Sequence, residues 1–177
     1  TLTALEFGND TPSIAAFDVT ELVHDLINSS GILIQQNAAK VSVDMPETLV
    51  VMGDEFKIEE VVTNYLTNAM NHLGGDHNIR IWSETLDGVA KIHVYNNGTP
   101  IPEEDLPNLW TKFYKVDKAR TRAYGGSGIG LSIVKAIMEA HHQQYGVVNH
   151  EDGVEFWFTL ALAPEKSEEE EQREENS

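Results

Sequence analysis

The chain has 177 residues, 41% of them hydrophobic, a length and composition that suit one folded domain with a normal core. Its formal net charge of −17 argues against a nucleic-acid partner, because neutralising a phosphate backbone takes a basic surface. Cysteine is absent, which excludes disulfides and thiolate metal sites; with no run of about 18 apolar residues and no basic-then-apolar leader, a cytoplasmic segment without membrane contact is expected.

Residues 1–12 read as the end of a helix and a linker: Leu2 and Leu5 stand at helical spacing, and Gly8-Asn9-Asp10-Thr11-Pro12 breaks it. The expected domain covers residues 13–163. Residues 14–19 suit a short strand, and Thr20 is the expected cap of a helix carrying Leu22, Val23, Leu26, Ile27, Leu33 and Ile34 on one side. Val41-Ser42-Val43-Asp44-Met45 alternates as a half-buried strand does. Asp54 opens a second helix, in which Ile58, Val62, Tyr65, Leu66, Ala69 and Leu73 recur at three- and four-residue steps until Gly74-Gly75 ends it.

Two strand-like runs, residues 79–83 and 89–95, are joined through Asp87-Gly88, a strong hairpin signal. Pro100, Pro102 and Pro107 mark an irregular stretch, and residues 112–127 lack periodicity, so a mobile loop is expected there. A further helix carries Ile129, Ile133, Val134 and Ile137, and a hairpin of residues 145–150 and 154–160 turns at Asp152-Gly153. Residues 164–177 form an acidic tail whose lack of apolar side chains from Glu165 onward predicts disorder. Antiparallel strands with helices sharing one face give an α+β sandwich.

Two features carry chemistry. Gly125-Gly126-Ser127-Gly128-Ile129-Gly130 runs straight into a helix, and glycines together with a helix's free N–H groups form a cradle for phosphate. Six of the 12 lysines and arginines (Lys112, Lys115, Lys118, Arg120, Arg122 and Lys135) lie just before this helix or within it, against the field of the whole molecule. The residues ahead of the glycines are polar and basic, not an apolar strand, and Gly130-Leu131-Ser132 lacks the P-loop lysine, so both common nucleotide folds lose ground. On the second helix, Glu60, Asn64, Asn68 and Asn71 line one face, and a row of carboxamide oxygens suits a hydrated Mg²⁺.

In order the chain carries Asn64-Tyr65-Leu66-Thr67-Asn68-Ala69, Val94-Tyr95-Asn96-Asn97-Gly98-Thr99-Pro100-Ile101-Pro102, Trp110-Thr111-Lys112-Phe113-Tyr114-Lys115 and Gly126-Ser127-Gly128-Ile129-Gly130-Leu131. This succession resembles the N, G1, F and G2 boxes of the catalytic, ATP-binding domain of sensor histidine kinases, within the gyrase, Hsp90, histidine kinase and MutL ATPase superfamily. The resemblance implies the Bergerat ATP-binding fold: a two-layer α/β sandwich whose mixed, mostly antiparallel sheet has helices on one face, with a mobile lid over ATP. It also implies that the opening residues end a dimerisation helix.

By the same resemblance Asn68 coordinates the Mg²⁺ on the ATP phosphates and Asn64 supports it. Asn96 stands where the family usually has an Asp facing the adenine amine, and Gly98 lets the backbone approach the base. Trp110 and Phe113 anchor the lid, Gly126, Gly128 and Gly130 hold phosphates, and Lys115 and Arg120 are charge partners. Further nucleotide contacts are implied at Asn71, His72, Ile101, Tyr114, Ser127, Ile129 and Leu131.

The implied reaction passes the γ-phosphate to a histidine on a separate dimerisation domain of the parent chain, for relay to a response regulator. The parent is then a homodimer anchored in the plasma membrane. None of the seven histidines sits in anything like the family's phosphoacceptor box, and none shows metal-ligand spacing. Asn64 stands where ATP-hydrolysing superfamily members carry a Glu, and an amide cannot take a proton from water. Asn96, Asn71 for a common Lys, Pro100 for a glycine and Val154 for Thr or Ser depart from the usual pattern. A degenerate nucleotide or interaction module and an anti-sigma-type serine kinase are the alternatives.

Overall fold

Asp87 and Gly88 take φ of +52° and +79°, the left-handed pair that a two-residue hairpin demands. They fold β4 (Asn78–Leu86) back onto β5 (Val89–Asn97), with Leu86 opposite Val89. This is a computed structural model, and it describes residues 11–111, 130–164 and 168–176. The remaining described elements are β1 (Ala15–Asp18), α1 (Val19–Ser29), α2 (Gly31–Gln36), β2 (Lys40–Asp44), β3 (Val50–Gly53), α3 (Glu55–Asn71), a 3₁₀ turn (Glu103–Asn108), α4 (Gly130–Ala140), β6 (Tyr145–His150), β7 (Gly153–Leu162) and α5 (Glu168–Glu175).

The strands make one seven-stranded sheet in the order β1-β3-β7-β5-β4-β2, with β6 also paired to β7. Every pairing is antiparallel except β2 with β4, where Lys40 faces Asn78 and Asp44 faces Trp82. The mixed, mostly antiparallel α+β sandwich expected from the sequence is the architecture found. β7 is its hub: residues from Gly153 to Phe158 pair with β6 and Ala161 and Leu162 with β3, while β5 lies along the other edge.

Strand alternation sends Ile92, Val94, Phe156, Phe158 and Leu160 to one face, where they form a single core with Leu22 and Val23 of α1, Ile58, Val62 and Tyr65 of α3, and Val134 and Met138 of α4. The opposite face is polar and aromatic. Trp82 stacks on His93 with ring centroids 4.6 Å apart, Lys91 Nζ lies 4.2 Å from the Trp157 ring centroid, and Trp157 crosses Gly146 so closely that a Cβ there would come within 2.5 Å of the indole.

Four local expectations need correction. Asp18, not Thr20, caps α1: its Oδ1 accepts from the N–H groups of Thr20 (3.0 Å) and Glu21 (3.4 Å), a carboxylate being well suited to the positive helix end, while Thr20 is buried. The helix read through Ile34 breaks at Ser30 into α1 and α2, since Ser29-Ser30-Gly31 favours local turns over helix, and Ile32 and Leu33 end up exposed. The β6–β7 turn sits one residue earlier than expected, because Gly153 already belongs to β7 opposite Asn97 and His150. Glu168–Glu175 is helical where disorder is expected, for Glu, Gln and Arg are good helix formers even with no apolar face to bury.

Candidate nucleotide site

The site is assembled on α3. Asp54 caps it, accepting from Lys57 N–H at 3.4 Å through Oδ1 and from Ser13 N–H at 2.9 Å through Oδ2. Ile58, Val61, Val62, Tyr65, Leu66, Ala69 and Met70 go into the core, which leaves Glu60, Asn64, Asn68 and Asn71 on the remaining arc. Asn64 and Asn68 are half-buried; Glu60 and Asn71 are exposed.

The Asn64 amide nitrogen donates to Glu60 O at 2.8 Å, which turns its oxygen toward α4. A Cβ on Gly130, the first residue of α4, would come within 2.7 Å of that Oδ1, so the carboxamide row and the glycine-led helix meet directly. Leu131, next on α4, is half-buried against the core. Tyr114, Lys115, Arg120, Gly126, Ser127, Gly128 and Ile129, together with Phe113, the lid at residues 112–127 and the expected helix end at residues 1–10, lie outside the described residues.

The far end of α3 presses on the end of β5. His72 closes the helix, Gly74 N–H donates to Asn97 O at 2.9 Å, and Gly98 packs so tightly that a Cβ there would be 2.3 Å from His72 O. Because the obstacle is backbone, only glycine fits at Gly98 without moving the helix end. Asn96 is 1% exposed, and its Nδ2 donates to Asn97 O (3.0 Å) and His72 O (3.5 Å). Those carbonyls fix the amide's sense, so Oδ1 is the group left to accept. Asn97 braces the other side: its Oδ1 accepts from Asn78 N–H at 3.0 Å and its Nδ2 donates to Tyr95 Oη at 2.9 Å.

Beyond Gly98, whose N–H donates to Asp152 O at 3.0 Å, Ile101 is buried and bonded twice to Asn149. Trp110 packs edge-on against Tyr145 and Phe156, at 4.8 and 5.9 Å between centroids. Sequence reasoning missed Asn97 and Asn149, because the backbone groups they hold, at Asn78 and Ile101, lie 19 and 48 residues away in the chain.

Two histidines are buried. His141 donates from Nδ1 to Ile137 O (2.8 Å) and accepts the Asp54 N–H at Nε2 (3.0 Å), a neutral ring, and burial pushes its pKa down. His93 faces carboxylates at both ring nitrogens, Glu155 Oε2 at 2.6 Å and Glu84 Oε2 at 3.2 Å, and His150 Nε2 reaches Glu155 Oε1 at 2.9 Å. Burial alone would raise Glu155, but the hydrogen bonds and charges of these two histidines outweigh it and hold the carboxyl below its ordinary value. Among the described residues no group of three or more His, Asp or Glu is arranged to hold a metal.

Residues 53–164 match the family described as histidine kinase-, DNA gyrase B-, and HSP90-like ATPase, and the chain belongs to it. Within that family its similarities run to sensor kinases. It is 32% identical over 159 residues to the sensor protein VanSB of Enterococcus faecalis, covering 90% of this chain and 36% of that protein. The chain thus spans about a third of that relative's length. The nucleotide-free catalytic domain of histidine kinase ThkA superposes with a TM-score of 0.76 at 27% identity, over 85% of this chain and 96% of that one. ThkA in complex with the response regulator protein TrrA gives a TM-score of 0.71 at 26% identity, over 87% of this chain and 43% of that one. Among the described residues no helix is long and apolar enough to cross a membrane.

Proposed function

We propose that this chain is the ATP-binding catalytic domain of a sensor histidine kinase, passing the γ-phosphate of ATP to a histidine on a separate dimerisation domain for relay to a response regulator. The observation that carries the reading is the meeting of Asn64 with Gly130, which opens the carboxamide row of α3 onto the start of a glycine-led helix. In this reading the parent is a homodimer held at the plasma membrane, and this part of it is cytoplasmic.

The residues fit such a ligand at both ends. Oδ1 of Asn96 accepts from the adenine amine, and Gly98, by leaving out a Cβ that would strike His72 O, lets the end of α3 close against this wall of the pocket. Asn68, half-exposed one turn along from Asn64, holds Mg²⁺ through its amide oxygen. Held there, the ion would supply positive charge against the phosphates. Gly126, Gly128 and Gly130 receive the phosphates on backbone N–H groups, with Lys115 and Arg120 as charge partners, and the contacts at Asn71, His72, Ile101, Tyr114, Ser127, Ile129 and Leu131 complete the pocket. Catalysis is then positioning and charge stabilisation.

Asn64 cannot serve as a base toward water, so ATP hydrolysis by the isolated chain is slow. Calorimetry with Mg²⁺-ATP tests the assignment: the chain binds, and Asn68→Ala loses binding with its unfolding temperature nearly unchanged. Unaltered affinity in that variant would remove the metal role of Asn68. Robust steady-state ATP turnover by the chain would count against the kinase reading, and absence of nucleotide binding would leave a degenerate interaction module.

A further inference from the structure

Asn149 sits half-buried on strand β6 and makes two hydrogen bonds to a residue 48 positions away. Its Oδ1 accepts from Ile101 N–H at 3.0 Å, and its Nδ2 donates to Ile101 O at 2.7 Å. A side-chain amide offers an acceptor and a donor much as a peptide group does, so this is the exchange a neighbouring strand would make. Among the described residues Ile101 pairs with no strand. It lies between the end of β5 and the 3₁₀ turn, flanked by Pro100 and Pro102, neither of which carries an N–H. Ile101 therefore holds the one backbone donor of that tripeptide, and Asn149 takes it.

We infer that Asn149 is a positioning residue for nucleotide: by gripping Ile101 it keeps the wall from Gly98 to Ile101 in its binding shape before the ligand arrives. This rests on reading the pocket as the nucleotide site. Three contacts fix that wall. The end of α3 meets Gly98, the Asp152 carbonyl takes the Gly98 N–H, and Asn149 holds the far end. If the grip is removed, the wall is in place in only a fraction of molecules, and the apparent dissociation constant rises by the reciprocal of that fraction. Two hydrogen bonds of ordinary net worth set a ceiling of about thirtyfold, and a wall that keeps part of its shape without them loses about tenfold. The wall borders the base end, so ATP and ADP weaken together and the ratio of their affinities stays constant.

The test uses the 177-residue chain and its Asn149→Leu and Asn149→Ala variants, titrated with Mg²⁺-ATP and Mg²⁺-ADP, with amide hydrogen exchange at Ile101 followed without ligand. The expected result is lost protection at Ile101 and an affinity about tenfold lower for both nucleotides, at an unchanged ratio. Faster exchange at Ile101 with unchanged affinities would overturn the inference, as would a loss confined to ATP. Unfolding of both variants counts against it as well, since Asn149 would then be supporting the fold rather than the wall. A wild-type chain that binds neither nucleotide defeats the proposed function and this inference with it, whereas binding that ignores position 149 defeats the inference alone.

Discussion

Strands β5 and β7 present two faces that bury different chemistry with the same backbone. Toward the helices lie Ile92, Val94, Phe156 and Phe158, each at most 2% exposed, and these side chains interact there by packing. On the reverse lie His93 and Glu155, at 5% and 7%, joined by a 2.6 Å hydrogen bond, with Trp82 stacked on the His93 ring and Trp157 opposite His93 in register. The apolar face owes its stability to area removed from water, which is indifferent to pH. The polar face owes its stability to partners staying paired, which is not.

The contrast is broken most severely by Phe158→Ala, which empties a fully buried ring site beside Tyr65 and should cost about 3–5 kcal/mol in urea unfolding at any pH. His141, the neutral acceptor on the helix side, comes next. Its folded pKa lies below the ordinary 6.5, so its contribution is complete above pH 6.5 and is lost as pH falls toward the depressed value. His141→Phe orphans the Asp54 N–H, should cost about 1–3 kcal/mol at pH 7, and should flatten the stability profile just below pH 6.5.

Glu155→Gln sharpens the comparison from the polar side. The depressed pKa of Glu155 means its contribution is complete above the ordinary 4.5 and disappears as pH falls through the lower folded value. The variant should lose about 1 kcal/mol at pH 7, and its difference from the parent should shrink on acidification below pH 4.5; a difference constant with pH would contradict the pairing with His93 and His150. Smallest is Lys91→Met, which keeps a side chain of similar length and removes the cation over Trp157, for about 0.5 kcal/mol in the same assay.

Local signals carried much of this molecule. Asp87-Gly88 marks its hairpin because so few residues accept two positive φ angles, and Asp54 marks the start of α3 because a side-chain acceptor there satisfies a free N–H. Three of the four boxes marked Asn64, Asn96, Gly98 and Gly130, which in the structure lie on α3 or against it. Other features depend on neighbours distant in the chain. Strand β3 went unread: Val50–Gly53 is four residues long with no clear alternation, and its identity comes from pairing with β1 and β7. The parallel match of β2 with β4 has no local signature either. His93 falls at an outward position by alternation, yet it is buried by Trp82 and by Glu155, 62 residues away.

The hub strand is also the last of the seven in chain order. A ribosome releases β3 and β5 well before the residues that will lie between them, and until β7 emerges each of the two offers an unpaired edge to any passing chain. The central plank of this sheet is thus the last strand to be made, so β3 and β5 can be joined only late in synthesis.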